Sequence, residues 1–334
     1  MAKNDNLHKA KDAKNDEFYT RIEDVAEELR HYKKHFAGKV VLCNCDDPTW
    51  SAFWRYFHLN FAELGLKKLI STHYDRTEPT YKMEYEGGDD NDVEVGVKTP
   101  LEGNGDFRSK ECLDLLDECD IVVTNPPFSL FREYVAVLMQ HQKKFLILGN
   151  MNALTYKEIF PLIRDNQLWY GASIHSGDRK FYVPNDYPLK ASGCGVDNNG
   201  QKFIRVKGVR WYTNLDYKAR HEKLVLWKNY TPEEYPKYDN YDAINVNKYS
   251  EIPCDYDGVM GVPITFIDYY CPEQFEIVAF RKGNDGKDLV FTRERESSTV
   301  LSYPCTTSIA GMIKNAEGKI NGKPTYARIT IRRK

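Results

Sequence analysis

Thr124-Asn125-Pro126-Pro127-Phe128 is the stretch of this 334-residue chain whose residue types in that order can do unusual chemistry. An amino group on an aromatic base is a poor nucleophile, because its lone pair is delocalised into the ring. Two acceptors aimed at its two N–H bonds draw the nitrogen toward tetrahedral geometry and free the lone pair for in-line attack on a sulfonium methyl. The Asn125 side-chain carbonyl and the Pro126 backbone carbonyl form such a pair. Pro126 and Pro127 stiffen the loop and fix the carbonyl direction. Phe128 offers a ring face on which a base flipped from a duplex can stack. Asn-Pro also marks plain strand-ending turns, but a strand, then N-P-P-aromatic, then a helix is a rare conjunction.

The flanking elements must hold that loop at a strand end. Asp120 to Thr124 is a short apolar run directly before it, and Phe131 to Gln140 reads as helix after it. Lys39 to Asn44, Leu69 to Thr72 and Lys144 to Gly149 have the same look of buried parallel strands. Ahead of them, Asn15 to Phe36 reads as a helix with Thr20 and Glu23 spaced as a capping box. Trp50 to Leu64 reads as an aromatic-rich helix closed by Gly65, and Leu113 to Glu118 as a short one. Tyr85 to Val95 is acidic and glycine-containing, a surface excursion or hairpin. Strands alternating with helices at these distances predict right-handed crossovers and a doubly wound parallel sheet. Ligands of such sheets sit at the carboxyl ends of the strands. From Asp165 to about Glu276, Tyr, Asn, Asp, Gly and Pro become frequent and helical periodicity fades, so this stretch reads as irregular, β-rich and a candidate recognition region. No internal repeat is present.

Composition narrows the class. The formal net charge of −2 does not advertise a nucleic-acid binder, but phosphate contacts need local Lys and Arg whatever the sum. Lys202, Arg205, Lys207, Arg210, Lys218, Arg220 and Lys223 stand against Asp216 and Glu222, with Phe203, Trp211, Tyr212 and Tyr217 interleaved. A solvated strand face reads equally well. No apolar run approaches the roughly 18–20 residues of a membrane span, and the Lys-rich start is no secretory signal. Eight scattered cysteines without C-x-x-C pairs read as reduced thiols in a cytoplasmic protein, with no structural zinc. His31 and His35 stand four apart on the expected helix, but without the Glu of H-E-x-x-H they read as surface histidines and no metal is expected. Pro253-Cys254 and Pro304-Cys305 come late in the chain and read as buried cysteines rather than cytosine-C5 nucleophiles.

The whole run from Ile121 to Tyr134 resembles the EcoRI-type adenine-specific DNA methyltransferases. So do Asp16 to Thr20, Cys43 to Pro48, Gly105 to Ser109 and Tyr235 to Phe266, so the likeness extends from about Glu17 to at least Phe280. It is far more specific than N-P-P-F alone, which RNA and protein-glutamine methyltransferases also carry. The resemblance implies an α/β, Rossmann-like, S-adenosyl-L-methionine-dependent methyltransferase with a mixed, mainly parallel sheet and an irregular β-rich target-recognition region. It implies direct methyl transfer to a flipped adenine in double-stranded DNA, by a monomer, in a system that can include a restriction endonuclease without direct binding. GAATTC or a relative is the implied target.

Carried over by residue, Asn125, Pro126, Pro127 and Phe128 form the catalytic motif, with Asn125 also bordering the cofactor. Phe18-Tyr19-Thr20 matches the segment that closes over the methionine part of the cofactor. Asn44 and Asp46 lie in the block before Asp47-Pro48, which opens the place of a loop usually written D-P-x-x-G-x-G. Ser51 and Phe53 replace its two glycines, an odd form the EcoRI-type subgroup shares. Asp75 is the candidate acceptor for ribose hydroxyls, with Glu78 in competition. Asp106 and Phe107 match a pair that binds and packs on the cofactor's adenine. Cofactor segments before N-P-P-F and recognition after it make the γ arrangement, and Asn125 speaks against cytosine-N4 chemistry. Lys202, Arg205, Lys207, Arg210 and Arg220 are the expected DNA-binding residues. Tyr235 to Asn245 reads as an ordered supporting loop. The expected organisation is a flexible basic N-terminus (1–15), a cofactor-binding and catalytic core (16–165), a completion and recognition region (166–276) and a C-terminal β-rich segment (277–334). An RNA or protein acceptor, or a non-catalytic DNA-binding relative, remains open at this level.

Overall fold

The computed structural model describes residues 18–45, 47–75, 78–185, 187–189, 193–239, 242–280, 290–294, 300–304, 319–321, 323–325 and 328–334. The basic stretch 1–15, Asp46 and Cys305 lie outside the described residues. Two compact units result, Met1–Ala153 with Tyr170–Tyr217, and Leu154–Trp169 with Lys218–Lys334.

The first unit begins with α1 (Ile22–Leu29), shorter at both ends than the sequence pattern predicts. Thr20 does not cap it: Arg21 is the N-cap residue, in extended backbone and without a side-chain cap bond. The reason is that Tyr19 is held in a bridge to Tyr182, and the helix starts only after Arg21, which is itself extended. Because α1 stops at Leu29, His31 and His35 share no helix face, and His35 Nε2 lies 2.7 Å from the Asp216 carbonyl oxygen. Glu28 is fully buried. Its carboxylate accepts from the Ala172 and Ser173 N–H groups at 2.7 Å each and from the Tyr32 hydroxyl at 2.8 Å. Such saturation is what makes a buried carboxylate tolerable.

There follow β1 (Val40–Cys43), α2 (Ala52–Leu59), α3 (Phe61–Leu64), β2 (Lys68–Thr72), β3 (Tyr81–Tyr85), β4 (Val97–Pro100), α4 (Lys110–Glu118), β5 (Ile121–Thr124), α5 (Phe131–Gln140) and β6 (Lys144–Asn150). Gly65 ends α3 in the left-handed region, at φ 63°, which a residue without Cβ adopts freely. The Ser109 hydroxyl accepts from Cys112 N–H at 3.3 Å and starts α4. In α5, Phe131, Tyr134, Val135 and Leu138 make one buried stripe at helical spacing. After α6 (Phe160–Arg164), which belongs to the second unit, come β7 (Trp169–Tyr170), β8 (Asp178–Tyr182), β9 (Gly195–Val196), β10 (Lys202–Lys207) and β11 (Val209–Thr213).

The main sheet runs β4-β3-β2-β1-β5-β6-β11-β7. Its centre, β2-β1-β5-β6, is parallel, and β11, β3 and β4 add antiparallel. β1 and β5 are buried along their whole length, as four-residue apolar runs in a doubly covered sheet should be. The predicted surface excursion is the β3–β4 hairpin, longer at both ends than Tyr85 to Val95. The chain leaves β1 toward β2 and returns to place β5 on the other side of β1. In doubly wound sheets ligands are held where the strand order reverses, which here is at the carboxyl ends of β1 and β5. A separate antiparallel sheet, β8-β10-β9, belongs to the same unit.

In the second unit, β12 (Ile244–Asn245), β13 (Met260–Pro263), β14 (Phe275–Phe280) and β19 (Arg328–Arg333) form a sheet in the order β12-β13-β19-β14. Short pairs β15 (Val290–Glu294) with β16 (Val300–Pro304), and β17 (Lys319–Ile320) with β18 (Lys323–Pro324), complete the chain. Asn245, 4% exposed, accepts from Tyr238 Oη at 2.7 Å and donates to Asn247 Oδ1 at 2.9 Å, which ties Tyr238 to the start of the following segment. Among the described residues no helix is long and apolar enough to cross a membrane.

Candidate active site

Asn125 follows β5 and Asn44 follows β1, so the switch in strand order brings their segments together. The Thr124 hydroxyl donates to the Asn44 backbone carbonyl, and the Tyr134 hydroxyl donates to Asn44 Oδ1. Tyr134 is fully enclosed, and burial pushes its hydroxyl well above the ordinary tyrosine range, so it stays a neutral donor. Its ring meets Phe107 edge-on at 4.9 Å, which ties the segment before α4 to the same place.

Asn125 is buried, and the two ends of its side chain differ sharply. Nδ2 donates to the Phe18 carbonyl oxygen at 2.6 Å. Oδ1 has no hydrogen-bond partner among the described residues. Only the amide nitrogen can donate to a carbonyl, so this bond fixes which end faces away from Phe18. An acceptor enclosed without a donor costs about 1–3 kcal/mol, the kind of deficit a ligand N–H relieves. The Thr20 hydroxyl, two residues after Phe18, is likewise buried without a partner among the described residues.

Phe18, Phe128 and Phe181 form an aromatic cluster over this loop, with ring centroids at 5.9 Å for Phe18–Phe128, 5.9 Å for Phe18–Phe181 and 6.5 Å for Phe128–Phe181. Phe18 and Phe181 are buried, whereas Phe128 keeps part of its surface exposed. Tyr19 joins β8 through reciprocal bonds with Tyr182, N–H to carbonyl at 2.9 and 3.0 Å. Phe181 was not legible in the sequence as a site residue; no motif surrounds it.

The remaining cofactor candidates lie on the loops after β1 and β2 and before α4. Asp47 Oδ1 accepts from Thr49 N–H at 2.9 Å, Thr49 Oγ1 at 2.8 Å and Tyr81 Oη at 2.8 Å. Pro48 stands in the turn that follows Asp47. Asp75 Oδ1 accepts from the Glu78 N–H at 2.9 Å, so Glu78 supports Asp75 through its backbone while its side chain is exposed. Asp75 N–H in turn bonds the Asn104 carbonyl at 3.2 Å. Gly105, at φ +73°, packs so tightly on His73 and Tyr74 that a Cβ would collide with the His73 carbonyl oxygen. Asp106 is bound by Arg108 at 2.7 Å, and Arg108 reaches Glu133 at 2.9 Å. That guanidinium holds the Asp106 carboxyl below the usual carboxylate range.

The five basic candidates separate. Arg205 and Lys207 are exposed on one face of β10, and Lys180 of β8 lies opposite Arg205. Lys202 points the other way along the strand alternation, with Nζ donating to the Tyr187 carbonyl at 3.1 Å. Arg210 is 3% exposed in a β11 that is buried throughout, and donates to the Val209 and His175 carbonyls at 2.9 and 2.6 Å. Arg220 belongs to the second unit, 7% exposed, with its guanidinium 3.8 Å from the Trp169 ring centroid. Arg210 and Arg220 are thus interior side chains, and Arg210 does not share the exposed Arg205–Lys207 face.

A doubly wound sheet with N-P-P-F on the switch-point strand has the architecture of a Rossmann-like methyltransferase. Residues 6–334 match the profile described as adenine-specific methyltransferase EcoRI, and the chain belongs to that family. It is 50% identical over 305 residues to the type II methyltransferase M.EcoRI of Escherichia coli, covering 86% of this chain and 93% of that protein. It is 39% identical over 332 residues to M.MpnI of Mycoplasma pneumoniae, and 38% over 333 to M.MgeORF184P of Mycoplasma genitalium, with 98% of each chain covered in both cases. No solved structure matches.

Proposed function

We propose that this enzyme transfers a methyl group from S-adenosylmethionine to the N6 amino group of an adenine flipped out of duplex DNA. The observation that carries the reading is the enclosed Asn125 Oδ1 at the carboxyl end of β5, which has no partner among the described residues. Its orientation is held by the Phe18 carbonyl, so it is an acceptor waiting for a donor, as the amino-group chemistry requires.

The residues present fit the methyl donor. Thr20 Oγ1 is a second enclosed polar atom without a partner among the described residues, and Asp75 and Asp106 offer carboxylates on neighbouring loops. Phe18, Tyr19, Thr20, Asn44, Asp75, Asp106 and Phe107 would hold it. S-adenosylmethionine supplies a methyl group on a positively charged sulfur, so the transfer needs no covalent enzyme intermediate. Asn125 Oδ1 and the Pro126 carbonyl accept the two adenine N–H bonds and localise the nitrogen lone pair. Phe128, the least enclosed ring of the cluster, supplies the stacking face. Preorganised acceptors cost no rearrangement at the moment of transfer. As the N–CH3 bond forms the S–CH3 bond breaks and leaves a neutral thioether, and the proton the nitrogen loses passes to solvent water. Arg205 and Lys207, exposed on one face of β10, contact the phosphate backbone, while Lys202 on the other face is held by the Tyr187 carbonyl.

Tritiated S-adenosylmethionine offered with duplex DNA, RNA and protein extract tests the acceptor. Label is expected in DNA alone; label confined to RNA or protein would overturn the reading. Asn125→Ala should lower turnover by about 100-fold or more while the protein still takes up S-adenosylmethionine.

A further inference from the structure

The turn after β1 lacks the glycines that let such loops approach a ligand, and its two substitutes do not face one. The Ser51 hydroxyl accepts from Trp54 N–H at 3.1 Å and caps α2. Phe53 is fully buried, edge-on to Trp211 at 6.1 Å. What shapes the turn is Asp47. Its backbone carbonyl accepts from Trp50 and Ser51 N–H at 3.0 and 2.7 Å. One carboxylate oxygen collects three donors, two from Thr49 and one from Tyr81, while the other lies 3.6 Å from His73 Nε2. A carboxylate spent this way on its own chain has little left for a ligand.

Tyr81 is the distant member of the set. It opens β3, the first strand of the added antiparallel hairpin. It is 8% exposed, with its ring 5.0 Å from His73 and the Lys98 ammonium 3.6 Å from its centroid. Its carbonyl accepts from His73 N–H at 2.8 Å, so backbone and side chain together fasten the hairpin to the ends of β1 and β2.

Building on the S-adenosylmethionine reading, we propose that Tyr81 is a positioning residue for the cofactor loop and that Asp47 is its latch, acting through accepted hydrogen bonds rather than as a direct cofactor ligand. The hairpin then has a purpose, since it delivers one hydroxyl that holds residues 47–51 in the shape glycines would otherwise permit. Backbone N–H groups and carbonyls of that turn are what meet the ligand.

The test is calorimetric titration of the full-length protein with S-adenosylmethionine, for wild type, Tyr81→Phe, Asp47→Asn, Asp47→Ala and the double variant Tyr81→Phe/Asp47→Ala. An amide oxygen can still accept from Thr49 and Tyr81, so Asp47→Asn should stay near wild type. Tyr81→Phe and Asp47→Ala should each weaken binding about tenfold, with the double variant no worse than Asp47→Ala, because both act through one unit. In turnover, Tyr81→Phe should raise the KM for the cofactor far more than it lowers kcat. The proposal is overturned if Asp47→Asn binds as poorly as Asp47→Ala, since the charge itself would then be the ligand. It is equally overturned if Tyr81→Phe lowers the melting temperature but leaves cofactor affinity unchanged, which would make its role one of folding. Wild-type protein that takes up no S-adenosylmethionine would count against the parent reading as well.

Discussion

Asn125 has two hydrogen-bonding ends, and the protein uses one of them. The same division of labour recurs nearby, where Asp106 is charged and clamped by Arg108 rather than left free to titrate. A carboxylate with a depressed folded pKa contributes its stabilisation above the unfolded value, about 3.9, and loses it as the pH falls through the folded value. Because the pair is partly exposed, its share of stability is under about 1 kcal/mol. Its effect on ligand binding is the better readout. Removing the clamp with Arg108→Ala should let Asp106 protonate at a higher pH, so the acid-side loss of S-adenosylmethionine affinity should set in earlier. Titrations at descending pH check this, and an unchanged midpoint would contradict a cofactor role for Asp106.

Among elements, α1 and the 171–173 turn depend on one another. Glu28 satisfies two backbone N–H groups of that turn, and Gly171 has no room for a side chain between Glu28 and Trp211. Glu28→Ala should cost about 3 kcal/mol in urea unfolding, since it strands buried donors and leaves a cavity. The turn leads into β8, which carries Phe181 inward and Lys180 outward. On the adjoining strand, Arg205→Ala and Lys207→Ala should each reduce the salt dependence of DNA binding by about one unit of slope. Fluorescence anisotropy at several salt concentrations measures it, and unaltered slopes would remove β10 from the phosphate contact.

At the scale of the whole molecule, the parallel centre of the sheet was legible because strands buried on both faces write themselves as short apolar runs. The N-P-P-F loop was legible because its chemistry is local. Burial of Arg210 was not, since β11 reads as a basic strand until its neighbours cover both faces. The start of α1 was misread because a distant pairing, Tyr19 with Tyr182, outweighs the local capping signal at Thr20. Tyr81, Phe181 and Glu28 act across long sequence separations, where no spacing rule reaches. All of these parts serve the carboxyl ends of β1 and β5, where the proposed methylation of adenine in DNA takes place. Single-molecule sequencing of plasmid DNA from an adenine-methylation-deficient host, expressing either the wild-type chain or Asn125→Ala, tests it most directly. N6-methyladenine in one short motif with the wild type, and none with Asn125→Ala, is the predicted result. Unmodified DNA from cells whose purified wild-type protein still takes up S-adenosylmethionine would contradict it.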